Sequence, residues 1–148
     1  MKAVVIGLGS MGKRRIRCLK SLGINEVFGV DTRLDRQDEV LAKYEIPVFS
    51  STADMWSATA PDIAIISLPP KMHVMAMLEC IAHKVPFFVE ASVVDDGLAE
   101  VISKARLAGI VAAPSTTLYF HPAIAEITRI VRKGLLGKIS NILLHSGQ

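Results

Sequence analysis

Short apolar runs alternate with longer stretches of helical period along the chain. "KAVVIG" (Lys2–Gly7) is apolar and β-branched and reads as a strand. Gly12, Ile16, Leu19 and Gly23 then recur on one face of a helix, with Lys13, Arg14, Arg17 and Lys20 outside it. "EVFGVD" (Glu26–Asp31) predicts a second strand, Asp35–Tyr44 a polar helix, and "IPVFS" a short third strand near a sheet edge. "STADMW" opens a short helix with Ser51 or Thr52 as N-cap. "PDIAIISL" is apolar on both faces and so belongs at the centre of a sheet.

The same rhythm continues. Lys71–His83 predicts a helix that buries Val74, Met77, Leu78 and Ile81, and "PFFVEA" predicts the fifth strand. Asp95 or Asp96 is placed to cap a helix whose Leu98, Val101, Ile102 and Ala105 share one side. "GIVAAP" is the sixth strand, Pro122–Lys133 a helix stopped near Gly134, and "GKISNILLHSGQ" a last strand. Strands and helices that alternate through short links force parallel strands and right-handed crossovers. The expected fold is therefore α/β, a Rossmann-type doubly wound parallel sheet. The final strand has no partner after it, and a lone strand leaves its backbone groups unpaired. The natural chain is thus expected to continue, with this sequence a fragment.

Composition refines this picture. The 148 residues suit one core, and 51% of them are apolar. With a mean hydropathy of +0.41, that points to a sheet buried on both faces, or to an interface this chain does not itself cover. No apolar run approaches the roughly 18 residues needed to cross a bilayer. "KAVVIGLG" is too short and glycine-rich for a signal peptide. The reading is a cytoplasmic protein with no membrane partner. Cys18 and Cys80 stand apart and are expected to be free, buried thiols. The scattered His73, His83, His121 and His145 show no metal-ligand spacing, so no metal is expected. Net charge is +3, and Lys2, Lys13, Arg14, Arg15, Arg17 and Lys20 all precede the first acid, Glu26. That basic run is most simply a solvated helix face, with one arginine able to reach a phosphate. Sparse aromatics argue against nucleic acid as a partner.

Chemistry concentrates at the strand ends. "GLGSMG" gives Gly7-x-Gly9-x-x-Gly12 between a predicted strand and a predicted helix, and Asp31 ends the next strand 19 positions past Gly12. Gly7 permits the tight turn, Gly9 lets a pyrophosphate approach the backbone, and Gly12 seats the helix close to the strand. The N–H groups of the first helical turn, at Ser10 and Met11 among others, then face the anion. Asp31 is placed to accept hydrogen bonds from a ribose diol. Its charge argues for NAD over NADP, although Arg33 two positions later is able to offset it. The loop "SLPPKMH" (Ser67–His73) leaves the central strand at the same edge, where open parallel sheets bind ligands. His73 is either a helix-start packing residue or a functional one. Glu90 is either a cofactor-edge group or a solvated strand-end acid.

Taken together, "GLGSMG", Asp31, "PDIAIISLPPKMH", "FFVEASVV" and "YFHPAIAEITRIVRKGLLGKI" resemble the glucose–fructose oxidoreductase and inositol dehydrogenase (Gfo/Idh/MocA) family along essentially the whole chain. The resemblance implies an oxidoreductase with an N-terminal NAD(P)-binding domain, here residues 1–120. Residues 121–148 would be the connecting helix and first strand of a C-terminal domain that forms the sugar pocket and often the oligomer interface. It implies a sugar or sugar-nucleotide substrate, and a homo-oligomer when the chain is full length. Carried over by position, Gly7, Gly9 and Gly12 match the phosphate turn, and Asp31 the adenosine-ribose acid. Ser67, Leu68, Pro69 and His73 match the cofactor loop, Glu90 the residue near the nicotinamide ribose, and His121 and Pro122 the link onward. The family pattern Glu-Lys-Pro reads Glu90-Ala91-Ser92 here. A methyl group cannot move a proton, and acid–base catalysis is typically worth about 10²–10⁴-fold. With the catalytic group thus unknown, Lys71 and His73 stand as possible contributors. Three functions follow: an NAD-dependent sugar or sugar-nucleotide dehydrogenase, a non-catalytic NAD(H)-binding module or sensor, or a site for another ligand such as S-adenosylmethionine. The proline–histidine loop and Glu90 count against the last.

Overall fold

The protein is described here by a computed structural model that covers residues 1–92 and 94–143. Residues 1–115 form one compact unit and residues 116 onward a second. The first is built on a six-stranded, wholly parallel sheet in the order β3-β2-β1-β4-β5-β6. Its strands are β1 (Lys2–Ile6), β2 (Glu26–Val30), β3 (Val48–Phe49), β4 (Ile63–Ile66), β5 (Phe87–Val89) and β6 (Ala112–Pro114). The helices between them are α1 (Ser10–Ser21), α2 (Leu34–Tyr44), α3 (Thr52–Ala58), α4 (His73–Ala82) and α5 (Leu98–Ala108).

The doubly wound sheet expected from the alternation of elements is the fold found. Successive residues of β1 face opposite sides, as pleating requires. Ala3 and Val5 pack with Ile16 and Leu19 of α1 and Val40 and Tyr44 of α2. Val4 and Ile6 pack with Met55 of α3, Met77 and Cys80 of α4, and Val101 and Ala105 of α5. All four are essentially inaccessible, which explains why β1 carries no polar residue after the exposed Lys2 at its start. The order turns outward in both directions from the β1–β4 pair, so the crossovers leave a crevice at the carboxyl ends of those two strands.

Several local expectations are revised. Helix α4 begins at His73, not Lys71, because Pro69 and Pro70 impose a 3-10 turn over Pro70–Met72 first. Its buried centre is Ala76, Met77, Cys80 and Ile81, with Val74 and Leu78 only partly covered. Gly23 lies beyond α1 in a left-handed turn at φ +79°, not on its face. Ser51, not Thr52, caps α3, its Oγ accepting the Asp54 N–H at 3.1 Å. Neither Asp95 nor Asp96 caps α5 through its side chain. Gly97 at φ +83° takes that position, and the Asp95 carbonyl accepts the Leu98 N–H at 3.0 Å. Ile102 is half exposed, away from the buried Val101 and Ala105. Cys80 is buried as expected, whereas Cys18 is exposed on α1.

The second unit holds a 3-10 turn over Thr117–Phe120 and helix α6 (Pro122–Arg132). His121 caps α6, its Nδ1 accepting the Ala123 N–H at 3.2 Å. The chain leaves α6 through Gly134 at φ +66°. The strand expected over 137–148 does not form in residues 137–143, and the rest of it lies outside the described residues. A strand holds its backbone only through a neighbour, and none pairs with this segment among the described residues.

The two thiols differ sharply. Burial pushes the Cys80 thiol up to about 12, while Cys18 is open to solvent. Titration of the native protein with a chromogenic disulfide near neutral pH should label one thiol per chain promptly, and the second only after unfolding. Prompt labelling of both would contradict the packing of α4.

Candidate functional site

The carboxyl end of β1 runs into the glycine turn. Gly7 takes φ +94°, and its N–H donates to the Val30 carbonyl at 2.8 Å. A Cβ there would lie 2.6 Å from the Ser67 carbonyl oxygen, so the turn is wedged against the loop after β4. Gly12 is more constrained still, since its Cβ would lie 1.8 Å from the Gly7 carbonyl oxygen. Only hydrogen fits between α1 and the end of β1. Gly9 differs from both. Its backbone (φ −66°, ψ −168°) suits any residue, and a Cβ would meet nothing closer than the Arg36 guanidinium at 3.8 Å. Nothing in the protein's own packing requires glycine there, and the space above it is open.

Gly9 is also the N-cap of α1, with no side-chain cap and no acid in the first turn. The first hydrogen bond inside the helix runs from the Lys13 N–H to the Gly9 carbonyl at 3.0 Å. The N–H groups of Ser10, Met11 and Gly12 therefore lack carbonyls one turn back and point out of the helix end. Their dipoles and the open space over Gly9 together suit an anion.

Asp31 follows β2 and is only 8% exposed. Oδ2 accepts the Leu8 N–H of the glycine turn at 2.8 Å, and Oδ1 accepts the Arg33 N–H at 3.0 Å. The Arg36 guanidinium stands 3.3 Å from Oδ2. The Arg33 guanidinium is turned away to exposed Asp35, at 2.9 Å through Nε. Beside Asp31 lies a cavity of about 330 Å³. Asp31, Thr32, Arg33 and Arg36 line one side, Ser50–Thr52 another, and Leu68, Pro69, Met72, Met75, Ala76 and Glu79 the third.

The loop after β4 is held from both ends. The Ser67 N–H donates to the Ile6 carbonyl at 2.8 Å, and Leu68 and Pro69 reach the cavity. His73 does not line the cavity. It is 3% exposed beneath the loop, with Nε2 2.8 Å from the Leu68 carbonyl oxygen, an acceptor that requires the proton on Nε2. As the first residue of α4 it projects back toward the loop, as helical side chains do. Its Nδ1 is buried without a hydrogen-bond partner among the described residues. Lys71 is exposed on the 3-10 turn.

Glu90 lies one residue past β5, its N–H donating to the Ile66 carbonyl at 3.1 Å. Its carboxylate is gripped by Arg15 of α1, with Nε to Oε1 at 2.6 Å and Nη2 to Oε2 at 2.9 Å. The guanidinium also sits 4.7 Å from the centre of the Phe88 ring. Both side chains are mostly covered, and the hydrogen bond to Glu90 raises the Arg15 pKa above its ordinary value. Glu90 is therefore not a solvated strand-end acid. Ala91, beside it, is exposed and carries no polar group.

The basic run is in part the solvated face expected, with Arg14, Arg17 and Lys20 exposed, but several of its cations also have partners on α2. Lys13 pairs with Glu39 at 2.6 Å, Arg17 donates to the Tyr44 hydroxyl at 2.9 Å, and Lys20 donates to the Tyr44 carbonyl. The Arg15–Glu90 pair was missed from sequence, although a signal exists. Arg15 falls three residues after Gly12 and four before Leu19, on the face α1 turns to the sheet. Among the described residues no group of three or more potential ligands is placed to hold a metal ion, and no helix is long and apolar enough to cross a membrane.

Solved structures share this architecture. Myo-inositol 2-dehydrogenase from Lactobacillus plantarum superposes with a TM-score of 0.86 at 18% identity, over 94% of this chain and 43% of that one. The WlbA dehydrogenase from Bordetella pertussis, in complex with NADH and UDP-GlcNAcA, gives 0.84 at 16% identity, over 92% and 43%. Scyllo-inositol dehydrogenase from Lactobacillus casei gives 0.82 at 16%, over 95% and 43%. At such identities the likeness establishes the fold, and the chain spans about two fifths of the length of these proteins. No curated protein sequence matches the chain. The family model of the oxidoreductases with an NAD-binding Rossmann fold (Gfo/Idh/MocA) matches residues 1–118, and the chain belongs to that family.

Proposed function

We propose that this chain is the NAD-binding domain of a sugar or sugar-nucleotide oxidoreductase. The observation that carries the proposal is the opening over Gly9. A bare helix N-terminus faces a space that the protein's own packing leaves free, flanked by a buried carboxylate and a cavity of about 330 Å³. A dinucleotide fits that arrangement. Its pyrophosphate would take the Ser10, Met11 and Gly12 N–H groups, its adenosine ribose Asp31, and its adenine the cavity bounded by Leu68 and Pro69. Ser67 and His73 then act from behind the loop, His73 by holding it and not by contact. Bound nicotinamide would supply hydride transfer, with Glu90 at its ribose end.

NAD is favoured over NADP. Asp31 already has backbone donors on both oxygens and stands beside the cavity, where a 2′-phosphate would meet its charge. Arg33 and Arg36 are the cations nearest to hand, but each is paired with an aspartate. Substrate would be bound by a further domain joined after residue 120, with α6 as the link, and that domain would also support a homo-oligomer.

A second reading is favoured by one observation. Ala91 offers no proton-transferring group, and the neighbouring Glu90 is committed to Arg15. On that reading the domain binds NAD(H) without turnover, as a module or sensor.

Four outcomes test the site, and the last of them separates the two readings. Gly9→Ala should leave stability within about 1 kcal/mol, since its backbone suits alanine, yet weaken NADH binding about tenfold or more in a fluorescence titration. Gly12→Ala should instead cost about 3 kcal/mol in urea unfolding, through overpacking. Asp31→Asn keeps an acceptor for the Leu8 N–H and should narrow the NADH-over-NADPH preference by about tenfold. In protein extended by its natural C-terminal remainder, Ala91→Lys should raise sugar-dependent NAD reduction by about 10²–10⁴-fold. No gain on any sugar, with NADH still bound, would favour the non-catalytic module.

A further inference from the structure

Glu90, one residue past β5, is matched oxygen for oxygen by a single guanidinium, at 2.6 and 2.9 Å. Arg15 brings it from the second turn of α1, lying over the Phe88 ring. The pair carries no net charge. Its side chains are only 22% and 14% exposed, so water would screen either charge poorly if the other were removed. The other charged groups in the turns that leave β4 and β5 are Lys71, Asp95 and Asp96, and all three are exposed.

The strand order decides what this pair would face. Asp31 stands one strand to one side of the glycine turn after β1, and Glu90 two strands to the other side. At the usual strand spacing, Glu90 lies about 10 Å along the sheet from the end of β1. With a pyrophosphate at the glycine turn and the adenosine ribose at Asp31, the other half of a dinucleotide runs over β4 toward β5. That half ends in nicotinamide, whose ring carries a positive charge when oxidised and none when reduced. A carboxylate near the ring favours the oxidised form, and a guanidinium the reduced form.

We propose that Arg15, by neutralising Glu90, sets the balance between oxidised and reduced cofactor. This rests on the dinucleotide reading. Arg15 acts through the field of the carboxylate and touches no part of the cofactor. An unpaired Glu90 would hold NAD⁺ more tightly than NADH, and tighter binding of the oxidised form lowers the potential of the bound couple. Pairing with Arg15 removes that bias and still ties β5 to α1.

The test measures NADH affinity by nicotinamide fluorescence and NAD⁺ affinity by displacement of NADH. It is made at about pH 8, well above the ordinary glutamate range. Arg15→Met unmasks the carboxylate and should shift the ratio of the two affinities about tenfold toward NAD⁺. That is a change of about 30 mV in the bound couple. Glu90→Gln leaves the guanidinium unbalanced and should shift the ratio about tenfold toward NADH. The double variant carries neither charge and should return to within about twofold of the wild-type ratio. Arg15→Lys keeps the charge and should also stay near the wild-type ratio. Equal weakening of both forms in Arg15→Met overturns the proposal, because loss of a purely structural tie lowers both affinities alike. Shifts of the same sign in Arg15→Met and Glu90→Gln also overturn it. Where one single variant folds poorly, the sign of the shift in the other decides. Binding of neither form by the wild-type chain overturns the dinucleotide reading, and the role of Arg15 with it.

Discussion

Hydrogen is the largest substituent that fits between α1 and the end of β1. With the Gly12 Cβ position 1.8 Å from the Gly7 carbonyl oxygen, the helix is drawn down until its first turn stands directly over the strand end. That approach sets the remaining geometry. It leaves the N–H groups of Ser10, Met11 and Gly12 at the strand end, and it puts Leu8 within reach of Asp31. It also lowers Arg15 onto Phe88 and Glu90. A methyl group at position 12 would lift α1 and disturb all three together, although the Leu8–Asp31 and Arg15–Glu90 contacts do not involve Gly12 itself.

The fold was legible because its signals are redundant. β1 and β4 are apolar on both faces, and in an α/β chain only central strands are buried twice. Glycine spacing, strand and helix order, and an acid at the end of β2 each point to the same crevice. Boundaries were less legible, because they depend on which of two local devices wins. At α5 the competition lay between an aspartate cap and a left-handed glycine, and Gly97 won. At α4 two consecutive prolines delayed the helix by two residues.

The site was legible in its backbone and less so in its side chains. Glycine roles follow from sterics along one short stretch, so sequence carries them. Arg15 and Glu90 are 75 positions apart, so helical spacing places Arg15 on the sheet-facing side of α1 but names no partner for it. His73 shows the opposite limit. Its place in the proline–histidine loop is obvious, but whether it faces the cavity or the underside of the loop depends on the start of α4, which is fixed only by the 3-10 turn. Charge patterns were legible only in part for a related reason. The run of bases on α1 is largely exposed, as its pattern suggests, but nothing local shows that α2 brings Glu39 and Tyr44 alongside it.

The strand order also bears on how the unit is assembled. β1 is the first strand in the chain, yet it sits at the centre of the sheet with β2 on one edge and β4 on the other. During synthesis β2 and β3 can zip onto one side as soon as they emerge, while the opposite edge of β1 stays unpaired until residue 63 arrives. A nascent chain therefore carries an open, apolar template strand for the time needed to make α2, β3 and α3. Hydrophobic strands with bare edges recruit any strand at hand, so that interval is when this protein is most exposed to mispairing with its own copies.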